Sequence, residues 1–262
     1  MEIKVTKADG TGNNFIIIYN NDNDNLITNP NFIQKICGKE LGFNTDGLLL
    51  LSSHSNYNYK MDYFNNDGSW ETMCANGARC AALFMFQKKL VNNNISFIAG
   101  DGPHQIQIKD QDNINLSMKQ PSFKSKEIIS HQYKGRYVDS GAKHFTTIVN
   151  QIALTDVNKD GKKIRNDKVF PDGINVNFMK IINSQHIKVL TYEKGIENVV
   201  LSCGSGSVAS AYYAYQKQLI KSPLKISVPG GKLQLIFNDK WDKVWLSGPA
   251  RLSPETTWNY KE

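Results

Sequence analysis

One recurring offset constrains how this chain can fold more than any other feature of its sequence. Cys74-Ala75-Asn76-Gly77 and Cys203-Gly204-Ser205-Gly206 lie 129 positions apart, and each opens a run of small and aromatic residues with helical spacing. The same offset separates two pairs of glycines, Gly12 from Gly141 and Gly102 from Gly231. Self-similarity over half a chain indicates two copies of one fold. The repeat therefore predicts two homologous domains, each with a helix that begins beside a cysteine.

The bounds of these domains follow from the same comparison. Two strand-like segments follow Gly102 in the first half, and two follow Gly231 in the second. Each pair of segments ends near a proline, Pro121 in one half and Pro249 in the other. A chain of 262 residues has room for two such units, since ~150 residues is an ordinary domain. We predict one domain over residues 1–120, completed by about 251–262, and a second over residues 121–250.

Local patterns indicate many strands and few helices. Short runs that alternate polar and apolar residues, such as 15–19 and 186–191, recur along the whole chain and predict strands. Helical periodicity covers three segments, with a possible further turn near 152–157: residues 31–38, 77–89 and 206–219. The sequence therefore predicts an α+β fold of two strand-rich domains.

Composition excludes several classes of protein. Apolar residues make up 40% and charged residues 21% of the chain, which is typical of a folded globular protein and not of a disordered or collagenous one. The longest apolar runs fall far short of the ~20 residues of a membrane-spanning helix, and the first residues lack the apolar stretch of a signal peptide. We expect a cytoplasmic protein with no membrane partner.

The positive charge does not indicate a nucleic-acid partner. The net charge is +7, but 27 of the 31 basic residues are lysines spread along the whole chain. A nucleic-acid surface more often concentrates its basic residues and uses arginine. We expect a small-molecule partner instead.

The two repeated cysteines are the candidate catalytic residues. A cysteine just before a helix lies where unpaired backbone N–H groups converge, which lowers the pKa of a thiol and can hold a carboxylate beside it. Two such cysteines facing one ligand would form a two-base racemase, in which one thiolate removes the α-proton and the opposite thiol returns a proton to the other face. Cys74 and Cys203 are therefore predicted to be an acid/base pair.

Other chemistries lack their motifs. Cys37 and Cys80 fall inside helical segments and are predicted to be packing residues. Four scattered cysteines do not form a disulfide framework, and no close Cys or His pair suggests a zinc site. The sequence has no nucleophile elbow, phosphate-binding loop or dinucleotide fingerprint. We predict neither a metal nor a cofactor.

Several ordered segments resemble the diaminopimelate epimerase family, whose members act without pyridoxal phosphate in lysine and peptidoglycan precursor synthesis. The resemblance spans nearly the full length and rests on residues 7–15, 44–48, 64–69, 73–80, 170–178, 192–195 and 202–206. It implies two barrel-like domains, each around a central helix, with the active site in the cleft between them and a homodimer as the usual assembly.

The resemblance also implies roles for individual residues. Cys74 and Cys203 match the acid/base pair, and His144 matches a histidine with a positional role beside it. The other matching positions bind the substrate, by backbone groups at the helix starts and by side chains elsewhere: Asn13, Asn65, Ala75, Asn76, Asn175, Glu193, Lys194, Gly204 and Ser205.

Three departures from the family pattern concern substrate recognition. Ala142 stands where an asparagine is usual, and Lys194 and Leu190 stand where arginines are common. Lysine lacks the bidentate fork with which arginine binds a carboxylate. The expected reaction is epimerisation of LL- to meso-diaminopimelate, and three alternatives stay open: a racemase of another amino acid, a non-catalytic amino-acid-binding protein, and a thiol redox protein.

Overall fold

The computed structural model describes residues 1–20 and 29–260. Contacts divide the chain into two compact units, here called unit 1 (Met1–Leu116 with Gly248–Glu262) and unit 2 (Ser117–Ser247). These units are defined by contacts within the folded chain, which do not test whether each part folds independently. The predicted domain bounds therefore stay a prediction.

Unit 1 contains two helices and ten strands in its described part. They are β1 (Glu2–Gly10), β2 (Asn13–Asn20), α1 (Pro30–Cys37), β3 (Gly47–Ser52), β4 (Tyr59–Asn65), β5 (Trp70–Glu71), α2 (Ala75–Gln87), β6 (Asn94–Ala99), β7 (Gly102–Asp110) and β8 (Asn113–Ser117), with β18 (Arg251–Leu252) and β19 (Thr256–Asn259) from the end of the chain.

Unit 2 contains the remaining elements. They are β9 (Ser122–Ser130), β10 (Tyr133–Asp139), β11 (Lys143–Ile148), α3 (Leu154–Arg165), β12 (Asn175–Asn183), β13 (His186–Glu193), β14 (Asn198–Val200), α4 (Gly204–Gln216), β15 (Leu224–Val228), β16 (Gly231–Phe237) and β17 (Val244–Gly248).

The two units share one strand topology. In unit 1, β2 and β3 pair in parallel through the crossover helix α1, and β4 and β6 pair in parallel through α2, while β1–β2, β3–β4 and β6–β7 are antiparallel. In unit 2, α3 and α4 connect the parallel pairs β11–β12 and β13–β15 in the same way. The predicted fold class, two homologous strand-rich α+β units, is confirmed.

Each unit is built around its second crossover helix. In α2 every residue from Ala75 to Met85 is buried, and the helix packs against β1, β2, β3, β4, β7 and β18. The helix α4 is buried over most of its length and packs against β10, β11, β12 and β13. Alanine, glycine and serine make up much of both helices, so strands can approach them closely on every side.

The glycines of the repeat occupy turns that require their backbone freedom. Their φ angles are +84° at Gly12, +103° at Gly141, +115° at Gly102 and +150° at Gly231. Residues with a Cβ rarely adopt these angles. The shared offset thus marks equivalent turns in the two units.

The structure corrects three features of the secondary-structure prediction. The central helices begin at Ala75 and Gly204, two residues before the predicted starts at 77 and 206, so each cysteine is the N-cap residue itself. The possible turn near 152–157 is the beginning of the twelve-residue helix α3. The alternating patterns do not predict strands β5, β6, β9, β14, β18 and β19.

The two remaining cysteines pack in the interior. Cys37 belongs to an apolar cluster with Phe32 and Ile36, and its burial raises the pKa of the thiol to about 11. Cys80 is fully buried in α2, and burial raises its pKa further. The prediction that both are packing residues is confirmed. No described helix is both long and apolar enough to span a membrane.

Candidate active site

Each unit presents one cysteine at the start of its central helix, with the same backbone geometry. Cys74 has φ −129° and ψ 118°, and Cys203 has φ −128° and ψ 111°. The first helical hydrogen bonds run from Ala78 N–H to the Cys74 carbonyl and from Ser207 N–H to the Cys203 carbonyl. Both side chains are partly exposed. Each thiol therefore lies at the positive end of a helix dipole, beside first-turn N–H groups that can bind an anion.

In unit 2, two donors contact the sulfur of Cys203. The backbone N–H of Gly206 donates to Sγ at 3.4 Å, and the hydroxyl oxygen of Ser205 lies 3.6 Å from the same atom. A further bond, from Ser140 Oγ to the Ser205 carbonyl at 2.8 Å, fixes the turn. Donors aimed at a sulfur favour its thiolate form.

A buried histidine stands behind Ser205. Thr191 Oγ1 donates to Asn177 Oδ1 (2.8 Å), so the Asn177 amide nitrogen donates to His144 Nδ1 (3.1 Å). The ring proton is therefore on Nε2, which donates to Ser205 Oγ at 2.9 Å. The Ser205 hydroxyl proton is then available to Cys203.

His144 is neutral in this chain of hydrogen bonds. Its side chain is fully buried, and burial lowers the pKa of the imidazole to about 3. Both ring nitrogens have neutral partners that match the neutral tautomer. At neutral pH the ring is uncharged, and its single proton, on Nε2, is held in the hydrogen bond that orients the Ser205 hydroxyl.

Gly206, in the first turn of α4, lies where there is no room for a side chain. A Cβ added at Gly206 would lie 2.5 Å from Asn177 Oδ1 and 3.0 Å from Thr191 Oγ1. Glycine thus lets the Cys203 turn approach the polar network of β12 and β13.

In unit 1, a different network lies under the equivalent helix start. Arg79 Nη2 donates to Asn76 Oδ1 (2.8 Å), Asn76 Nδ2 donates to Asn13 Oδ1 (3.2 Å), and Asn13 Nδ2 donates to Asp46 Oδ2 (2.7 Å). A donor-only guanidinium at one end and a carboxylate at the other fix the orientation of both amides. The chain runs from a buried cation to an exposed anion.

The other predicted residues of unit 1 lie at the same edge of the sheet. Since β2 and β3 are parallel and β4 runs opposite to them, the beginnings of β2 and β3 meet the end of β4. Asn13 begins β2, and Asn65 ends β4 opposite Gly47. The Asn65 amide accepts from Tyr63 Oη at 2.6 Å and donates to Ser69 Oγ at 3.1 Å.

Unit 2 brings its predicted residues together in the equivalent way. Asn175 begins β12 beside His144 of β11, and Glu193 ends the antiparallel strand β13. Asn175 Oδ1 accepts from the backbone N–H of Lys194 at 2.9 Å. The Lys194 ammonium donates to the Asp172 carbonyl at 2.7 Å, so in this structure it contacts protein backbone.

Of the three departures from the family pattern, Lys194 lies at the surface of unit 2 and Leu190 lies in its core. Lys194 is exposed, and the residue it contacts, Asp172, also has the Lys143 ammonium 3.4 Å from its carboxylate. Leu190 is buried in an apolar cluster with Val157 and Phe178, so it belongs to the core of unit 2.

Four residues of the networks were not identified from the sequence: Arg79, Asp46, Asn177 and Thr191. Signals for two of them existed. Arg79 is one helical turn after Asn76, and Asn177 is two strand positions after Asn175, which places each pair on one face. Within the described residues, no group of three or more His, Cys, Asp and Glu side chains is arranged to hold a metal ion.

Comparisons with known proteins cover nearly the whole chain. The family model described as "Diaminopimelate epimerase" matches residues 5–124 and 136–253. A diaminopimelate epimerase from Flavobacterium psychrophilum is 35% identical over 97% of this chain and 100% of its own length. One from Chlorobaculum tepidum is 32% identical over 92% of this chain and 96% of its own length.

Solved structures share the fold at low sequence identity. A phenazine biosynthesis protein of the PhzF family from Enterococcus faecalis matches with a TM-score of 0.74 at 15% identity, covering 99% of this chain and 100% of that one. A hydroxyproline epimerase from Agrobacterium vitis matches with a TM-score of 0.73 at 11% identity, covering 98% and 92%.

Proposed function

This chain belongs to the diaminopimelate epimerase family and is an isomerase of the epimerase type, and we propose that it interconverts LL- and meso-diaminopimelate by proton exchange between Cys74 and Cys203. The observation that carries the proposal is the pair of cysteine N-caps with matching backbone angles, one in each unit. The reaction would serve lysine and peptidoglycan precursor synthesis and need no cofactor.

The proposed reaction moves one proton off an α-carbon and another onto it. One cysteine, as thiolate, takes the α-proton, which breaks a C–H bond and forms an S–H bond. The other cysteine, as thiol, gives its proton to the opposite face of the same carbon and becomes a thiolate. The α-carbon is inverted, and the two cysteines have exchanged protonation states.

Backbone groups would hold the α-carboxylate during this exchange. The N–H groups of Ala75 and Asn76 in unit 1, and of Gly204 and Ser205 in unit 2, belong to the first turns of buried helices. Such N–H groups bind carboxylates, and they also stabilise the charge that moves onto the carboxylate when the α-proton leaves.

Side chains at the two sheet edges would bind the rest of the substrate. Asn13 and Asn65 in unit 1 and Asn175 and Glu193 in unit 2 offer amide and carboxylate groups suited to an amino group and a second carboxylate. Lys194 would add a positive charge for the distal carboxylate. His144 would act by position, through Ser205.

A second candidate is a racemase of another amino acid. It is favoured by the contacts of Lys194, whose ammonium donates to the Asp172 carbonyl, and by Ala142, which cannot donate a hydrogen bond from its side chain. Both features weaken recognition of a distal carboxylate. The two-thiol exchange would be unchanged.

One experiment separates these candidates. The purified, reduced protein is incubated in deuterium oxide with LL-diaminopimelate and with a panel of single amino acids, followed by chiral separation and mass measurement. We expect inversion of diaminopimelate with uptake of one deuterium per turnover. Inversion of another amino acid at a higher kcat/KM supports the second candidate, and no exchange with any of them refutes both.

Variants of the cysteines test the mechanism itself. Cys74→Ala and Cys203→Ala should each reduce turnover at least about 10²- to 10⁴-fold, the usual contribution of a general acid or base. Cys37→Ala is the matched control, because that thiol is buried in the core of unit 1, and its activity should stay close to that of the parent.

We also propose a cytoplasmic location, which rests on the sequence, and a homodimer, which rests on the resemblance. Light scattering on the purified protein checks the assembly, and a monomer at working concentration would refute the homodimer.

A further inference from the structure

Arg79 is a charged side chain buried in the first turns of α2, with no exposed surface. Its guanidinium donates to four oxygen atoms: Thr11 Oγ1 and Asn76 Oδ1, each at 2.8 Å, the Ala75 carbonyl at 3.3 Å and the Pro249 carbonyl at 3.4 Å. All four acceptors are neutral. Across residues 1–20 and 29–260, no carboxylate lies within ion-pair distance of it.

A buried cation with only neutral partners is costly unless an anion forms nearby. Burial lowers the pKa of Arg79 below its ordinary value, and negative charge on Cys80, Cys74 and Asp9 acts in the opposite direction. Cys80 stays a thiol, because burial raises its pKa. Asp9, on β1, is partly exposed and accepts a hydrogen bond from Gly12 N–H at 3.2 Å. Asp9 and Cys74 are therefore the two groups that can act on Arg79 as anions. Cys74 is the one next to the contacts of the guanidinium, because it directly precedes Ala75 and Asn76, which accept two of the four hydrogen bonds.

Unit 2 has no such cation at the equivalent place. The position 129 residues after Arg79 is Val208, which is buried in the core. The Cys203 sulfur instead has the Ser205 hydroxyl and the Gly206 N–H, with the neutral His144 behind them. The two helix starts thus have matching backbone angles and differ in the side chain at this position, which is arginine in unit 1 and valine in unit 2.

We propose that Arg79 is a positioning residue for the reaction: its fixed positive charge stabilises the thiolate of Cys74, and its bond to Asn76 orients that end of the carboxylate cradle. The proposal rests on the proposed function, because it assigns the anionic form of the acid/base pair. It implies that the two thiols are unequal before substrate binds, with Cys74 as thiolate and Cys203 as thiol.

The test measures the two thiols separately and involves no turnover. Reduced protein is alkylated with iodoacetamide across a pH series, and peptide mass spectrometry gives the rate at Cys74 and at Cys203. In Arg79→Met the pH midpoint of Cys74 alkylation should rise by about one unit, so that the rate on the acid side of the midpoint falls about tenfold, while the Cys203 midpoint should not rise. Arg79→Lys, which keeps the charge, should restore most of the Cys74 rate.

A matched control separates charge from packing. Thr11→Val removes one partner of the guanidinium and leaves its charge, so the Cys74 profile should stay near that of the parent. The proposal is overturned if Arg79→Met leaves the Cys74 profile in place, or if the Cys203 profile moves by the same amount.

A measurement on the parent protein covers the case in which Arg79→Met does not fold. The ratio of the alkylation rate with anionic iodoacetate to that with neutral iodoacetamide should be higher at Cys74 than at Cys203, since a fixed cation attracts the anionic reagent. An equal or lower ratio overturns the proposal. Neither alkylation measurement involves a substrate, so a negative result in the diaminopimelate assay would not change the outcome of this test.

Discussion

Removal of the Ser205 hydroxyl should weaken catalysis and stability by separable amounts. In Ser205→Ala the Cys203 sulfur loses a donor 3.6 Å away, and His144 Nε2 loses its acceptor at 2.9 Å. A hydrogen bond to a charged group is worth ~1.5–3 kcal/mol. Because the Ser205 contact is long, we expect the lower end, a loss of roughly 10- to 30-fold in kcat/KM.

The pH profile gives the sign of the same effect. The hydroxyl stabilises the thiolate of Cys203, so its loss raises the pKa of that thiol. Any limb of the kcat/KM profile that reports Cys203 should move to higher pH. The substitution cannot change the equilibrium constant, so kcat/KM must fall by the same factor in both directions.

The stability loss has a different origin. The buried N–H of His144 is left without an acceptor, which costs ~1–3 kcal/mol and lowers Tm by about 2–4 °C per kcal/mol in a chain of this size. Ser207→Ala is the matched control, because the Ser207 hydroxyl lies in the same turn and donates to the Cys203 carbonyl at 2.9 Å. If kcat/KM falls equally in the two variants, the role assigned to Ser205 is wrong.

Three further predictions follow from the site. Oxidation should inactivate the protein and a thiol reductant should restore it, because the proposed mechanism needs both thiols at one α-carbon, which would bring them near the ~7 Å Cα separation of a disulfide; peptide mapping that finds Cys74 and Cys203 unlinked in the inactive form would exclude this. Stability should fall as the pH is lowered from about 6.5 towards about 3, since His144 is neutral in the folded protein and its pKa there is about 3, whereas the unfolded chain takes up a proton near pH 6.5; a His144→Gln variant with the same dependence of Tm on pH would contradict the assignment. Ala142→Asn with Lys194→Arg should raise kcat/KM for diaminopimelate or leave it unchanged, and a fall, together with a better substrate elsewhere in the panel, would favour the alternative racemase.

The repeat and the two helix starts were predictable because they depend on local sequence. Glycines at positive φ and small residues in a buried helix are readable one segment at a time. Helix α3 was predicted only as a possible turn because its sequence is polar and includes Gly161, where a Cβ would lie 2.6 Å from Cβ of Tyr192. That glycine permits close packing against β13, a reason that only the tertiary structure supplies.

The polar networks were not predictable for a related reason. Alternation along β12 places Asn177 on the face of Asn175, but not opposite the ring of His144, which depends on the parallel register of β11 and β12. Likewise, helical spacing relates Arg79 to Asn76, while its contact with Thr11 depends on how β1 packs against α2. Sequence gives the face of a residue, and register between distant segments gives its partners.

Arg79 in unit 1 and Ser205 in unit 2 differ in a way that suits a proton exchange between two thiols. A guanidinium can only donate and stays positively charged, so in the proposed arrangement Arg79 would always favour the anionic form of Cys74. A serine hydroxyl can donate to a thiolate or accept from a thiol, so Ser205 is compatible with both forms of Cys203. If both supports were fixed cations, both cysteines would rest as thiolates, and no proton would be available for the second face of the α-carbon. Under the proposed mechanism, one cation and one adaptable hydroxyl would therefore give the free enzyme the one-thiolate, one-thiol state that the exchange requires.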